Sequence, residues 1–184
     1  MRKLTTTALA IGLTVAMAGP AAAAKPGWAG PDNGSTIVET AIELSGDPLT
    51  YDDNGGDFDI LVTAVIATGA TAVLDGSTDY TVFAPTDQAF LDAAGTDDEE
   101  EAVEILVGAF GVDGILDILT YHITDGWRPS PSVVNARKIT MLDGNTITAR
   151  EGFVDANNSD ADFVLTDVKT TDGGIHVIDT VLLP

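Results

Sequence analysis

The chain has 184 residues, with 29 acidic side chains against eight lysines and arginines, two histidines and no cysteine, for a formal charge of −21. Disulfides and a cysteine nucleophile are excluded, and so strong a negative field disfavours nucleic acid and anionic lipid, which are bound through clustered Lys and Arg. The length suits a single domain with a proper core.

Residues 1–24 read as a signal peptide. Arg2 and Lys3 form the basic start, Leu4 to Ala18 is apolar apart from threonines, Gly19-Pro20 breaks the run, and Ala22-Ala23-Ala24 offers a small-residue cleavage site. A membrane anchor is the alternative, but the run is short of the roughly 20 residues a span requires. Cleavage leaves six cations against 29 acids, a charge of −23. With no apolar tail after Pro184, the expected product is secreted or periplasmic and has no anchor. The acid excess reads as solubility, as in a saline habitat, with calcium binding as the sharper alternative.

Residues 25–35 are Pro/Gly-rich and form a flexible leader. Thr36 with Glu39 fits a capping box, followed by Val38, Ala41 and Ile42 on one helical face. Residues 45–57 form a turn-rich loop, and Asp57 can cap the next helix. Phe58, Leu61, Val62, Val65 and Ile66 give that helix a core-facing stripe up to Gly69. Tyr80 to Ala84 suits a buried strand ended by Pro85, with Thr86 and Asp87 opening a helix that stops at Gly95. Thr96 with Glu99 forms a second capping box, so Asp97 to Glu101 is helix-start chemistry. Val103, Leu106, Val107 and Phe110 form the expected buried face, and Asp113 caps a further short helix, Gly114 to Leu119.

From Tyr121 onward strands take over. Lys138 to Leu142 and Asn145 to Ala149 flank Asp143-Gly144, a two-residue hairpin signal. Phe163 to Val168 and Ile175 to Leu183 flank Asp172-Gly173-Gly174. Alternation puts Ile175, Val177 and Val181 on one face of the last strand, and Ile178 and Leu182 on the other. Helices first and strands second argue an α+β fold.

Chemistry is sparse. Only His122 and His176 are available as a histidine base, and each stands in an apolar strand-like context that favours a hydrogen-bonded core residue. No nucleophile elbow or phosphate loop is present. Asp155 to Asp160 fails as a calcium loop, with Asp160 in place of the glycine and Thr166 in place of the glutamate, and Asp52 to Asp57 fits no better. Arg128, Arg137, Lys138 and Arg150 are too few for a nucleic-acid groove. The sequence therefore predicts no enzyme, no cofactor and no metal site.

Six segments, in order, resemble the fasciclin domain family: Ile37 to Leu44, Phe58 to Ala67, Thr81 to Phe90 (TVFAPTDQAF), Leu119 to Ile123 (LTYHI), Ile139 to Gly144 and Thr166 to Pro184. The resemblance covers residues 36–184. It departs in Asp172-Gly173, where the family has Asn-Gly, and in Asp167-Val168, where the family has Asp-Ile. It implies a wedge-shaped β-sandwich with helices packed on one side. It also implies extracellular adhesion to a cell-surface or matrix protein or polysaccharide, with Tyr121, His122, Asp167 and Val168 as partner-binding residues. The alternative is a soluble carrier of an apolar small molecule such as a carotenoid.

Overall fold

A computed structural model describes residues 34–45, 51, 54–150, 153–156 and 159–184. The signal peptide and the leader up to residue 33 lie outside these residues, as does most of the loop before Asn54.

Helix α1 (Ile37–Ser45) starts at the expected capping box. Thr36 N donates to the Glu39 carboxylate at 2.8 Å, and Glu39 N donates to Thr36 Oγ1 at 3.2 Å. Val38, Ala41 and Ile42 pack against the helix-side core as expected, half-buried, with Ile37 and Thr40 buried more deeply beside them. A remote residue ties down the first turn: Ile37 N donates to the Asp172 carboxylate at 2.8 Å.

Helix α2 (Asp59–Thr68) buries Ile60, Leu61 and Val62 and stops at Gly69. Asp57 does not cap it. The cap is Asp87, whose two carboxylate oxygens accept from Asp59 N at 2.7 Å and Ile60 N at 3.0 Å. Strand β1 (Tyr80–Pro85) leads into α3 (Asp87–Ala94), where the Thr86 side chain makes no capping bond. Helix α4 (Glu99–Tyr121) is capped by Asp98, which accepts from Glu101 N at 2.9 Å, rather than by a Thr96–Glu99 pair. Within α4, Gly111 leaves the helical region at φ 68°, ψ 172° and divides it in two, close to where the sequence places a fresh start at Asp113. That backbone region is essentially restricted to glycine.

Strand β2 (Ile123–Asp125), the short α5 (Ser130–Val134) and strands β3 (Ile139–Thr140), β4 (Thr146–Arg150), β5 (Phe153–Ala156), β6 (Ser159–Thr170) and β7 (Gly173–Ile178) complete the chain. The order across the sheet is β2-β1-β7-β6-β5-β4-β3, with β1 and β7 parallel and the other pairs antiparallel. Register shifts between Phe163 and Val168 bend β6, so that its start pairs with β5 and its end with β7. The bent sheet folds back on itself. Leu142 N reaches Ile123 O at 2.8 Å, and Thr124 Oγ1 reaches Thr140 O at 2.8 Å, without closing a barrel.

Two cores result. One lies between the sheet and the helices and includes Ile60, Leu61, Phe90 and Leu119. The other lies between the folded halves of the sheet and includes Phe83, Tyr121, Ile139, Ile147 and Val154. The C-terminal segment feeds both, as alternation predicts. Ile175, Val177 and Val181 enter the helix-side core, and Ile178 and Leu182 the inter-sheet core. β7 itself ends at Ile178, earlier than expected, yet Val181 and Leu182 stay buried beyond the strand. This is the expected α+β arrangement, a β-sandwich with helices on one side.

Candidate functional site

Tyr121 and His122 are both buried. Tyr121 points into the inter-sheet core, while the His122 ring backs the helix-side layer. Asp167 lies on the bend of β6 with φ +62°, and its carboxylate accepts from Ser130 N at 2.8 Å and from Ser130 Oγ. Val168 is half-buried against the helix-side core. The structure therefore gives these four positions no shared exposed surface.

Both histidines have both ring nitrogens engaged, in opposite tautomers. His122 Nδ1–H donates to Ile118 O at 2.7 Å, and Nε2 accepts from Leu182 N at 3.0 Å. His176 Nε2–H donates to Arg128 O at 2.8 Å, and Nδ1 accepts from Asp167 N at 3.2 Å. Burial pushes His122 down to about 4 and also lowers His176, so both rings are neutral at pH 7. The His176 ring stacks on Trp127 with centroids 5.4 Å apart. That stack explains Gly174, where a Cβ would sit 2.3 Å from the Trp127 ring. Neighbouring Gly173 has φ +135°, and a Cβ there would come within 1.8 Å of Tyr80 O. Neither imidazole is free to take a proton from a substrate.

The accessible feature is on the helix side. An apolar groove of about 120 Å³ runs between α2, α3, both halves of α4 and the C-terminal segment at Val181 and Leu183. Val107, Phe110 and Val112 line it with exposures of 41, 45 and 52 %. The helical period had assigned Val107 and Phe110 to the core. Both residues stand just before the break at Gly111 and, with Val112, Ile115 and Ile118 from the second half of α4, flank the groove instead of being covered. The Thr63 hydroxyl, one of few polar groups at the lining, is buried with no hydrogen-bond partner. The signal for the groove was present in the sequence as Phe110-Gly111-Val112, but a glycine inside a helical pattern does not announce its dihedral angles.

A model of the fasciclin domain matches residues 56–184. The chain is 34% identical over 156 residues to protein sll1483 of Synechocystis sp., an alignment covering 83% of this chain and 76% of that one. It is 34% identical over 106 residues to immunogenic protein MPB70 of Mycobacterium bovis, covering 57% and 50% of the two chains. Among solved structures, a FAS1 domain pair from the insect cell adhesion molecule Fasciclin I superposes with a TM-score of 0.61 at 19% identity. That match covers 82% of this chain and 51% of the other. With its signature strands, its bent sheet and its one-sided helical layer in place, the chain belongs to the fasciclin domain family.

Proposed function

We propose that this protein is an exported, non-enzymatic interaction module that acts in adhesion or surface attachment outside the cell, and that the helix-side groove is its contact element. The observation that carries the reading is the groove itself. Three large apolar side chains stand exposed around an apolar concavity in a protein whose charge would otherwise keep partners away. Adhesion is supported by the name of the Fasciclin I neighbour, a cell adhesion molecule. In this reading Tyr121, His122, Asp167 and Val168 support the fold around the contact. Beads coated with the protein should adhere to cells or matrix of its native source. Val107→Asp with Phe110→Asp should weaken that adhesion without unfolding the protein, since both residues are already exposed. Equal adhesion by the folded double variant would remove the groove from the mechanism.

A second reading is favoured by the groove's concave shape and by the unpaired Thr63 hydroxyl, which offers one fixed polar contact inside an apolar lining. On this reading the groove carries an apolar small molecule such as a carotenoid. Protein purified from its native source, extracted with solvent and scanned for absorption, decides between them. A stoichiometric chromophore or lipid favours the carrier, and a clean extract favours adhesion.

A further inference from the structure

Asp57, Asp87 and Glu99 converge where α2, α3 and α4 begin, at exposures of 6, 0 and 5 %. One carboxylate oxygen from each lies within 4.8 Å of the other two. Asp57 Oδ2 accepts from Asn54 Nδ2 at 3.0 Å, but Asp57 Oδ1 is buried and meets no donor. Carboxylates removed from water are strongly disfavoured as ions unless their charge is balanced.

The chain segments that build the cluster carry no basic side chain of their own: no lysine or arginine occurs between Lys25 and Arg128. The positive helix ends offset part of the charge, and Asp87 spends its oxygens on the start of α2. Either a proton or a bound cation must complete the site.

We propose that Asp57, Asp87 and Glu99 form a calcium-binding site that ties together the starts of α2, α3 and α4. Three carboxylates with no nitrogen or sulfur donor suit a hard cation. The three oxygens lie within 4.8 Å of one another, so no pair is farther apart than two ligands of one calcium ion can be at about 2.4 Å each. Asp57, one of whose buried oxygens accepts no hydrogen bond from a neighbouring donor, has acceptor capacity left for a cation. Bound calcium would brace the three helices that wall the groove.

The test uses the full chain, stripped with a chelator and titrated with calcium chloride while sodium chloride holds ionic strength constant. Calorimetry should show one saturable site, with a dissociation constant of roughly 10⁻³ M or tighter, and the melting temperature should rise with it. Asp57→Asn keeps the Asp87 cap on α2 and should weaken binding by about tenfold or more, with the melt in chelator still cooperative. Glu99→Gln serves the same purpose should Asp57→Asn fail to fold. Equal titration of wild type and variant would assign binding to surface acids and overturn the site. Magnesium binding as tight as calcium would overturn the choice of ion. Absence of any calcium response, with Asp57→Asn more stable than wild type, would show that the cluster holds a proton instead.

Discussion

The two faces of the sheet bury similar residues by different means. Between the folded halves of the sheet, Phe83, Tyr121, Ile139, Val154 and Ile178 are wholly enclosed. On the helix side, α4 carries an equally apolar stripe, yet Val107, Phe110 and Val112 remain open to solvent. Hydrophobicity alone does not decide the outcome. The sheet closes because β6 bends and the C-terminal segment threads between both cores. The helical layer stays open beside the break at Gly111 in α4. Closed and open faces therefore have separate causes, and each can be disturbed on its own.

The largest expected effect comes from the element shared by both faces. Truncation before Ile175 removes Ile175, Val177, Ile178, Val181 and Leu182, all buried. At about 1.5–3 kcal/mol for each side chain, the loss matches the stability of a whole domain. The truncated chain should show no cooperative thermal transition, and an undiminished one would mean that neither core depends on this segment.

His122 is the next point of attack, because it joins the end of α4 to Leu182 in the C-terminal segment. His122→Ala leaves the Leu182 N–H without its partner and opens a cavity, and should cost about 3 kcal/mol in denaturant melts. The same residue sets a pH dependence. The folded ring titrates near 4 and the unfolded one near 6.5, so the folded state holds fewer protons in that window. Its contribution is complete above the unfolded value and is lost as pH falls. Wild type should lose about 2 kcal/mol between pH 7 and pH 5 through this group, and His122→Asn should lack that component. Parallel pH profiles for the two proteins would show that the ring is not held neutral.

Gly111→Ala separates the faces more sharply. No atom stands within 4 Å of a Cβ built there, so the penalty is in the backbone alone. About 1–3 kcal/mol is expected, together with a changed groove and weaker partner or ligand binding. Hydrogen exchange of β7 should not change. A change confined to β7 would contradict the division between open and closed faces. The smallest effect concerns salt. Sodium chloride that brings the Debye length below about 10 Å should raise the melting temperature by screening self-repulsion. Added exchange protection should be larger in α4, whose half of the sequence lacks cations, than in β7.

The strand half was the more legible in sequence. Alternation assigned the residues of the last strand to the correct cores, and Asp143-Gly144 marked its hairpin, where Met141 N meets Asn145 O at 2.9 Å. These signals are local, with a period of two and a turn. The helix starts misled because their partners are distant. Asp87 reads as the first-turn acid of its own helix, yet it caps α2 from 28 residues away. Asp57 reads as a cap and is instead a buried member of a carboxylate cluster. The groove was misread because periodicity places Val107 and Phe110 on a buried face, whereas what covers them depends on the direction the chain takes at Gly111, which the sequence does not spell out.

The aspartates that cap helices from a distance also bear on the order in which the chain acquires structure. The first helix leans on Asp172, the second on Asp87 and the short helix after β2 on Asp167. A chain emerging from the ribosome makes its first helix long before residue 172 exists, so that helix must wait, half-anchored, for the last hairpin. Closure of the sheet and the anchoring of the first helix therefore depend on the same late segment of the chain.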